Sequence, residues 1–139
     1  MEFKTIELKE SIFANNDREA DRLRAELKGD KTFLLNLMSS PGSGKTTTLL
    51  RTVERLRDGG TPAVVFYEGG GRPLAELVGR QTRRLAIVVG PEGGFEPAEI
   101  EELRALGAET ATLGPRILRC ESAPLAVLSA VMTLTDNLE

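Results

Sequence analysis

The decisive stretch for the fold of this chain is LAIVVGPEGGF, residues 85–95. Its first five residues are apolar and uncharged, as in a strand that is covered on both faces. A turn rich in glycine and proline follows, and Pro97 then opens an amphipathic helix that Gly107 ends. A strand, a tight turn and a helix in this order are typical of an α/β domain with a mainly parallel sheet.

The same alternation extends in both directions along the chain. The apolar runs predict buried strands, the 3.6-residue patterns predict helices, and the links between them are short. We therefore expect one three-layer α/β domain over residues 1–139, with helices on both faces of the sheet. The predicted elements are an edge strand at 3–8, a helix at 15–29, a strand at 33–38, a helix at 46–58, a strand at 63–67, a helix at 73–80, strands at 85–89 and 109–113, and helices at 97–107 and 122–135.

Composition excludes several classes of function. The chain has 139 residues, a formal net charge of -3, one cysteine and no histidine. Histidine-ligated zinc chemistry and a Ser-His-Asp triad are therefore excluded, as is an intrachain disulfide. The net charge gives no bulk attraction to nucleic acid, so any RNA contact has to be local. No apolar stretch reaches membrane-spanning length and no signal pattern opens the chain, so we expect a cytoplasmic protein.

A phosphate loop is predicted between the strand at 33–38 and the helix that follows. The segment SSPGSGKT, residues 39–46, matches the P-loop pattern except that Ser39 stands at the first glycine position. Backbone N–H groups and the helix N-terminus would hold an anion there, Lys45 would reach the β and γ phosphates, and Thr46 would offer its hydroxyl to Mg²⁺. The alternative is a strand-to-helix turn without a ligand. The candidate phosphate-binding residues are Gly42, Ser43, Gly44, Lys45, Thr46 and Thr47.

Residues 1–60, and above all residues 36–47, resemble the start of the hydrogenase nickel-incorporation GTPases of the HypB family. That family also has a serine at the first loop position. The resemblance implies GTP-Mg²⁺ binding, but the second acidic Mg²⁺ residue, the switch segment and the guanine-reading motif have no counterpart downstream. Glu68 is the one candidate acid, with a solvated loop carboxylate as the alternative interpretation. We expect weak nucleotide binding without useful GTP hydrolysis.

Two further loops follow strands in the second half of the chain. Gly90-Pro91-Glu92-Gly93-Gly94 comes after the strand at 85–89, and Leu113-Gly114-Pro115-Arg116-Ile117-Leu118-Arg119 comes after the strand at 109–113. Both lie at carboxyl ends of strands, where open α/β sheets bind ligands. Glycine and proline in such turns present backbone groups to a flat, polar ligand.

Together with Tyr67-Glu68-Gly69 and Glu121, these loops resemble the C-terminal part of the RsmE family, the 16S rRNA uridine N3-methyltransferases of the SPOUT (α/β-knot) class. The resemblance runs from about Pro62 to Leu134, within a methyltransferase-like segment at 61–137, and implies a trefoil knot that holds S-adenosylmethionine. It implies cofactor contacts from Tyr67, Glu68, Gly69, Gly90, Pro91, Glu92, Gly93, Gly94, Leu113, Gly114, Pro115, Ile117 and Leu118. Arg116, Arg119 and Glu121 are the catalytic candidates; for the two arginines, surface ion pairing is the alternative.

The last predicted helix, at 122–135, has no charged residue and is apolar almost all round, which predicts burial on every side. The resemblance implies a homodimer through this helix; burial within one chain is the alternative. The N-terminal RNA-binding barrel of the family has no counterpart in the sequence, so RNA binding is not expected. Residues 138–139 resemble a vector remnant.

These observations lead to one main interpretation and two alternatives. The main interpretation is an engineered chimera of the two families that retains an S-adenosylmethionine pocket, and a phosphate site besides, without the parental reactions. The first alternative is an active S-adenosylmethionine-dependent rRNA methyltransferase or a GTP-binding and GTP-hydrolysing protein. The second is a fold-design object with no ligand, and a natural fusion is the alternative origin.

Overall fold

The computed structural model describes residues 2–35, 37 and 44–138, with side chains from Ala14 onward. The chain forms two compact units, residues 1–39 and residues 40–139. This division does not coincide with the boundary at 60/61 that the two resemblances predict. Each unit is described by itself below.

In the first unit, a single long helix, α1, runs over Glu2–Gly29. The predicted helix at 15–29 is confirmed and ends at its glycine. The predicted edge strand at 3–8 is wrong, because glutamate, lysine and leucine in that stretch are good helix formers and the helix continues through it. Exposed ion pairs at helical spacing, Arg22 with Glu19 at 2.6 Å and Arg24 with Asp21 at 2.7 Å, support the helix.

The apolar run after α1 does not form the predicted buried strand in its described part. Phe33, Leu34, Leu35 and Leu37 lie outside any strand and are exposed, Phe33 to 86%. Apolar content alone gave this prediction, but a strand also needs a hydrogen-bonding neighbour, and no partner pairs with these residues in the described sheet. Asn36 and Met38 of the predicted strand lie outside the described residues.

The second unit contains a four-stranded parallel sheet in the order β2-β4-β1-β3. The predicted alternation of strands and helices is confirmed here. The predicted helix at 73–80 is only one turn long, because the chain becomes extended at Val78. The elements are α2 Lys45–Asp58, β1 Ala63–Phe66, β2 Arg72–Pro73, α3 Leu74–Leu77, β3 Ala86–Val89, α4 Pro97–Ala105, β4 Glu109–Thr112 and α5 Ala123–Leu134.

Two core clusters cover the two faces of this sheet. On one face, Val53 of α2 and Ile100 and Leu103 of α4 pack with Ala63 and Val65 of β1. On the other face, side chains from α3, α5 and the residue after α3 pack with the alternate side chains of β1 and β4. The buried residues of this cluster are Val64, Leu74, Val78, Ala111, Val127 and Val131. Since alternate residues of a strand face opposite sides, the single strand β1 contributes to both clusters. The second unit therefore has the predicted three layers.

The composition of helix α5 predicted burial on every side. Within this chain, however, the helix is not buried on every side. Val127 is 1% exposed, but Leu125 and Leu128 are 70% and 47% exposed. The helix packs one face against the sheet and turns apolar side chains away from it. Whether the helix threads through a loop, as the knot implies, stays a prediction. Among the described helices, none is long and apolar enough to span a membrane.

Strand β3 lies at one end of the sheet order and is uncharged along its length. All four of its residues are half-buried, whereas the central strand β1 has three buried residues out of four. Within the described part of residues 40–139, β3 therefore has a strand neighbour on one side only. Arg83 and Arg84 lie just before it in the chain, separated from it by Leu85.

Candidate functional site

The structure brings the three predicted cofactor segments to one edge of the sheet. Tyr67-Glu68-Gly69 follows β1, the Gly90–Gly94 loop follows β3, and the Leu113–Leu118 loop follows β4. Strand β1 pairs in parallel with both β3 and β4, so the three strands end side by side. The carboxyl edge of the sheet thus carries all thirteen predicted cofactor residues.

Glu68 and Gly94 join two of these segments. A Cβ on Gly94 would lie 2.4 Å from the Glu68 Oε1 atom, so the carboxylate occupies the space that a side chain would need. Gly94 also has a φ of +70°, which favours glycine, and its N–H donates to the Pro91 carbonyl at 2.9 Å. Glu68 itself is exposed and has no hydrogen bond or ion pair to any residue in the described ranges.

The Gly90 end of the same loop is equally tight. A Cβ on Gly90 would lie 3.0 Å from the Phe95 Cε2 atom, so the aromatic ring packs directly on the backbone at the end of β3. Phe95 in turn packs against the first core cluster, the one that contains α2 and α4. The start of the loop is therefore held at Gly90 by the Phe95 ring, and its end is held at Gly94 beside Glu68.

The loop after β4 exposes both charge and apolar surface. The Thr112 hydroxyl bonds to Gly114 twice, donating to its carbonyl at 3.0 Å and accepting from its N–H at 3.1 Å. Beyond this turn Ile117 is 80% exposed and Leu118 is 40% exposed. Arg116 and Arg119 are exposed, and neither pairs with a carboxylate among the residues from 44 to 138. The alternative interpretation of surface ion pairing is thus not seen for either arginine.

The raised pKa of the Cys120 thiol indicates that the loops after β3 and β4 approach each other. Partial burial raises the pKa of its thiol, and the neighbouring Glu121 carboxylate and the charge of Glu92 raise it further. Glu92 belongs to the loop after β3, and Cys120 follows the loop after β4. Glu121, the acidic catalytic candidate, is exposed beside the thiol.

The start of α2 is arranged differently from the predicted phosphate site. The Thr46 hydroxyl, predicted to face Mg²⁺, donates to the Glu99 Oε1 atom of α4 at 2.5 Å. The second oxygen of Glu99 accepts from the Glu96 N–H at 2.9 Å. A carboxylate therefore stands against the first turn of α2, where a phosphate would have to bind.

The other phosphate-loop predictions divide between described and undescribed residues. Gly44 precedes α2, and Lys45 and Thr47 lie in its first turn, with Lys45 half-buried and Thr47 exposed. Gly42 and Ser43 lie outside the described residues. In the described part of the chain, no group of three or more Cys, Asp or Glu side chains could hold a metal ion.

Sequence reasoning missed two residues that shape this unit. Glu99 is the carboxylate that holds Thr46, and Glu96-Pro97-Ala98-Glu99 has the spacing of a helix-capping box, which could have drawn attention to it. Gly71 allows β2 to approach β4, because a Cβ there would lie 2.6 Å from the Thr110 carbonyl oxygen. The run of three glycines at 69–71 was the available signal.

A family model with the description RNA methyltransferase domain matches residues 41–132, which is more than half of the chain. The chain belongs to the RNA methyltransferase domain family. The matched range begins before α2 and so includes a helix that the resemblances had assigned to a GTPase-like segment. The methyltransferase prediction is thereby confirmed at the level of the family.

Individual relatives match this chain over part of their length. Ribosomal RNA small subunit methyltransferase E of Mycobacterium bovis is 36% identical over 88 residues, which is 61% of this chain and 34% of that protein. Hydrogenase maturation factor HypB of Azotobacter chroococcum is 35% identical over 115 residues, which is 66% of this chain and 37% of HypB. The chain thus spans about a third of the length of each. The HypB resemblance is a partial match, and nothing in these matches supports an engineered origin.

A solved structure supports the fold. The putative methyltransferase Lpg2936 from Legionella pneumophila, in complex with the bound cofactor SAM, aligns with a TM-score of 0.50 and 20% identity. The alignment covers 71% of this chain and 50% of that one. At this identity the similarity concerns the arrangement of strands and helices alone.

Proposed function

We propose that residues 40–139 act as an S-adenosylmethionine-dependent RNA methyltransferase domain, with the methyl donor bound at the carboxyl edge of the sheet. The observation that carries this proposal is the convergence of three loops, after β1, β3 and β4, in a member of the RNA methyltransferase domain family. This favours the alternative that the sequence left open over the main interpretation of a chimera without catalysis.

The residues at this edge fit the cofactor in shape and charge. The tight turn at Gly94 leaves backbone rather than side chain facing the Glu68 carboxylate. Glu68 and Glu92 supply negative charge beside these loops, which suits the positive sulfonium of S-adenosylmethionine. When bound, the cofactor supplies an electrophilic methyl group.

Arg116 and Arg119 are the residues that we assign to the RNA strand. Each guanidinium presents several N–H donors in a plane, which matches the oxygens of a phosphate group. Both are exposed in the loop after β4, next to the proposed cofactor position. For a uridine N3 substrate the N3 proton has to leave, and Glu121 is the carboxylate nearest this loop in the chain that could accept it.

Calorimetric titration with S-adenosylmethionine, followed by transfer of a labelled methyl group to a 16S rRNA fragment, tests the proposal. We expect saturable heat and time-dependent RNA labelling. The double variant Arg116→Ala/Arg119→Ala should keep cofactor binding but lose at least about tenfold in transfer, since one charge-assisted hydrogen bond contributes about 1.5 kcal/mol. Arg51→Ala, an exposed arginine of α2, is the matched control. A flat cofactor titration would overturn the proposal.

We do not extend the proposal to GTP-Mg²⁺. A nucleotide at the start of α2 would place its phosphates beside the Glu99 carboxylate, and like charges at hydrogen-bonding distance repel strongly. The Thr46 hydroxyl proton is also already donated to that carboxylate. In the described part of the predicted phosphate loop, the Thr46 hydroxyl therefore forms a hydrogen bond within the protein.

We also propose that a second copy of the chain covers the exposed face of α5. Leu125 and Leu128 are exposed and uncharged, and a homodimer would remove them from water. Light scattering should give a dimer for the wild type and a monomer for Leu125→Glu. A wild-type mass equal to one chain at all concentrations would contradict this.

A further inference from the structure

A cavity lies at the opposite edge of the sheet from the proposed cofactor loops. It has a volume of about 410 Å³ and is formed where β1, β3 and β4 begin. In register, Ala63 pairs with Ala86 and Val64 pairs with Glu109, so the three strand starts are immediate neighbours. Because β1 has four residues, roughly 13 Å of strand separates this cavity from the carboxyl edge.

Two arginines without carboxylate partners line the cavity. Arg83 and Arg84 are exposed, and neither forms an ion pair with a carboxylate in the described ranges. Both side chains donate to backbone carbonyls: Arg83 donates from Nη1 to Arg80 at 2.9 Å, and Arg84 donates from Nη1 to Gly59 at 3.4 Å. A guanidinium has five N–H donors, so each side chain keeps most of its donors for a ligand.

A hydroxyl adds a third donor to the same wall. Thr82 lines the cavity, and its oxygen accepts from the Gly79 N–H at 3.1 Å, which leaves the hydroxyl proton for donation. Three neighbouring residues, 82–84, thus offer donors in one short segment. Convergent guanidinium and hydroxyl donors are the groups that proteins use to bind phosphate oxygens.

One carboxylate, Glu109, also belongs to the lining, and its charge opposes an anion. Arg72 offsets it, because the Arg72 Nη1 atom stands 3.9 Å from the Glu109 Oε2 atom. The remainder of the lining is apolar, from Pro62, Leu77 and Leu85 among others. Donors at the rim of an apolar wall suit a ligand that combines a phosphate with a flat base, as a nucleotide does.

We propose that Arg83 and Arg84 bind backbone phosphates of the RNA substrate at this amino edge of the sheet. The proposal rests on the proposed methyltransferase function, which names RNA as the substrate. It agrees with the net charge of -3, which requires any RNA contact to be local. An RNA strand held at both edges would be fixed along the sheet, with Arg116 and Arg119 near the reacting base and Arg83 and Arg84 several nucleotides away.

Fluorescence anisotropy with a labelled single-stranded RNA, measured over a range of salt concentrations, tests the proposal. We expect Arg83→Ala/Arg84→Ala to weaken binding at least about tenfold. The slope of log affinity against log salt should fall by about 1.4, because each single-strand phosphate contact contributes about 0.7. Glu109→Gln should strengthen binding, since it removes the opposing charge.

The control is Arg51→Ala/Arg55→Ala, which removes the same charge from two exposed arginines of α2 outside the cavity. It should leave the salt slope unchanged. Wild-type affinity and slope in Arg83→Ala/Arg84→Ala would overturn the proposal, as would the absence of RNA binding by the wild-type protein. Titration with S-adenosylmethionine separates the two proposals: unchanged RNA binding in Arg83→Ala/Arg84→Ala together with saturable cofactor binding contradicts the amino-edge site alone, and a flat cofactor titration contradicts the methyltransferase function.

Discussion

The carboxyl edge of the sheet and the first turn of α2 both combine glycine with hydroxyl or charged side chains, as ligand sites do. At the carboxyl edge, Glu68, Arg116 and Arg119 have no ion pair within the described residues. At the start of α2, by contrast, Thr46 is bonded to Glu99. Groups left for a ligand and groups used to hold two helices together can therefore follow similar sequence patterns.

The largest effect that tests this comparison is expected at Gly94. Gly94→Ala puts a side chain where the Glu68 carboxylate lies and forces a non-glycine residue to φ +70°, which costs about 1–2 kcal/mol. Because Glu68 has to move, we expect cofactor affinity to fall at least about tenfold, a loss of about 1.4 kcal/mol. Thermal unfolding and calorimetric titration measure the two effects.

Gly93→Ala is the matched control for this variant. A Cβ on Gly93 meets no atom within 4 Å, and its φ is not positive. It should leave both stability and cofactor binding close to those of the wild type. Equal losses in the two variants would mean that the Glu68–Gly94 contact has no special role.

A smaller effect is expected at the start of α2. Thr46→Val removes the donor of the half-buried bond to Glu99 and should lower the free energy of unfolding by about 1.5 kcal/mol. Thr47→Val changes an exposed neighbour and serves as the control. Chemical denaturation of both variants measures the difference.

The melting temperature of the wild type, measured with and without added Mg²⁺ and GTP, tests the same comparison. If α2 uses Thr46 only to contact α4, the melting temperature of the wild type should not rise when they are added. A rise that disappears in Thr46→Val would contradict the comparison and support a nucleotide site.

The smallest effect is expected at Cys120. Burial and the charges of Glu121 and Glu92 raise the pKa of its thiol, so the thiolate fraction near pH 8.5 should be below that of a free cysteine. The stability that the neutral thiol contributes is complete below its unfolded pKa of 9.0 and is lost as the pH rises through the higher folded value.

Alkylation by iodoacetamide at pH 8.5 should accordingly be slower than for a free thiol, and Glu92→Gln should accelerate it, because it removes one of the charges that raise the pKa of the thiol. Glu76→Gln, which changes a carboxylate of α3, is the control. Equal rates in Glu92→Gln and the wild type would mean that the loops after β3 and β4 do not approach as described.

Much of the second unit could be predicted from the sequence because its signals are local. The apolar run at 85–89, followed by glycine and proline, gave β3 and its loop, and Pro97 and Gly107 bounded α4 to within two residues. The convergence of the cofactor loops followed in turn, since parallel strands end at a common edge.

The errors arose where structure depends on distant partners. The run at 33–38 is as apolar as a buried strand, but its sequence does not specify a neighbour, and its described residues are unpaired. Thr46 and Glu99 are 53 positions apart, so no local pattern could show that the Thr46 hydroxyl donates its hydrogen bond to Glu99. The exposed face of α5 was missed because composition does not reveal how many sides of a helix are covered.

The position of β3 at the end of the sheet has a consequence for handling the protein in solution. Among residues 44–138, the outer edge of these four uncharged residues has no strand partner for its backbone donors and acceptors, and such edges recruit strands from other molecules. Arg83 and Arg84 lie just before β3 in the chain, with Leu85 between, and their repulsion between copies opposes that recruitment. High salt screens this repulsion, so concentrated samples should remain monodisperse longest in buffers of low ionic strength.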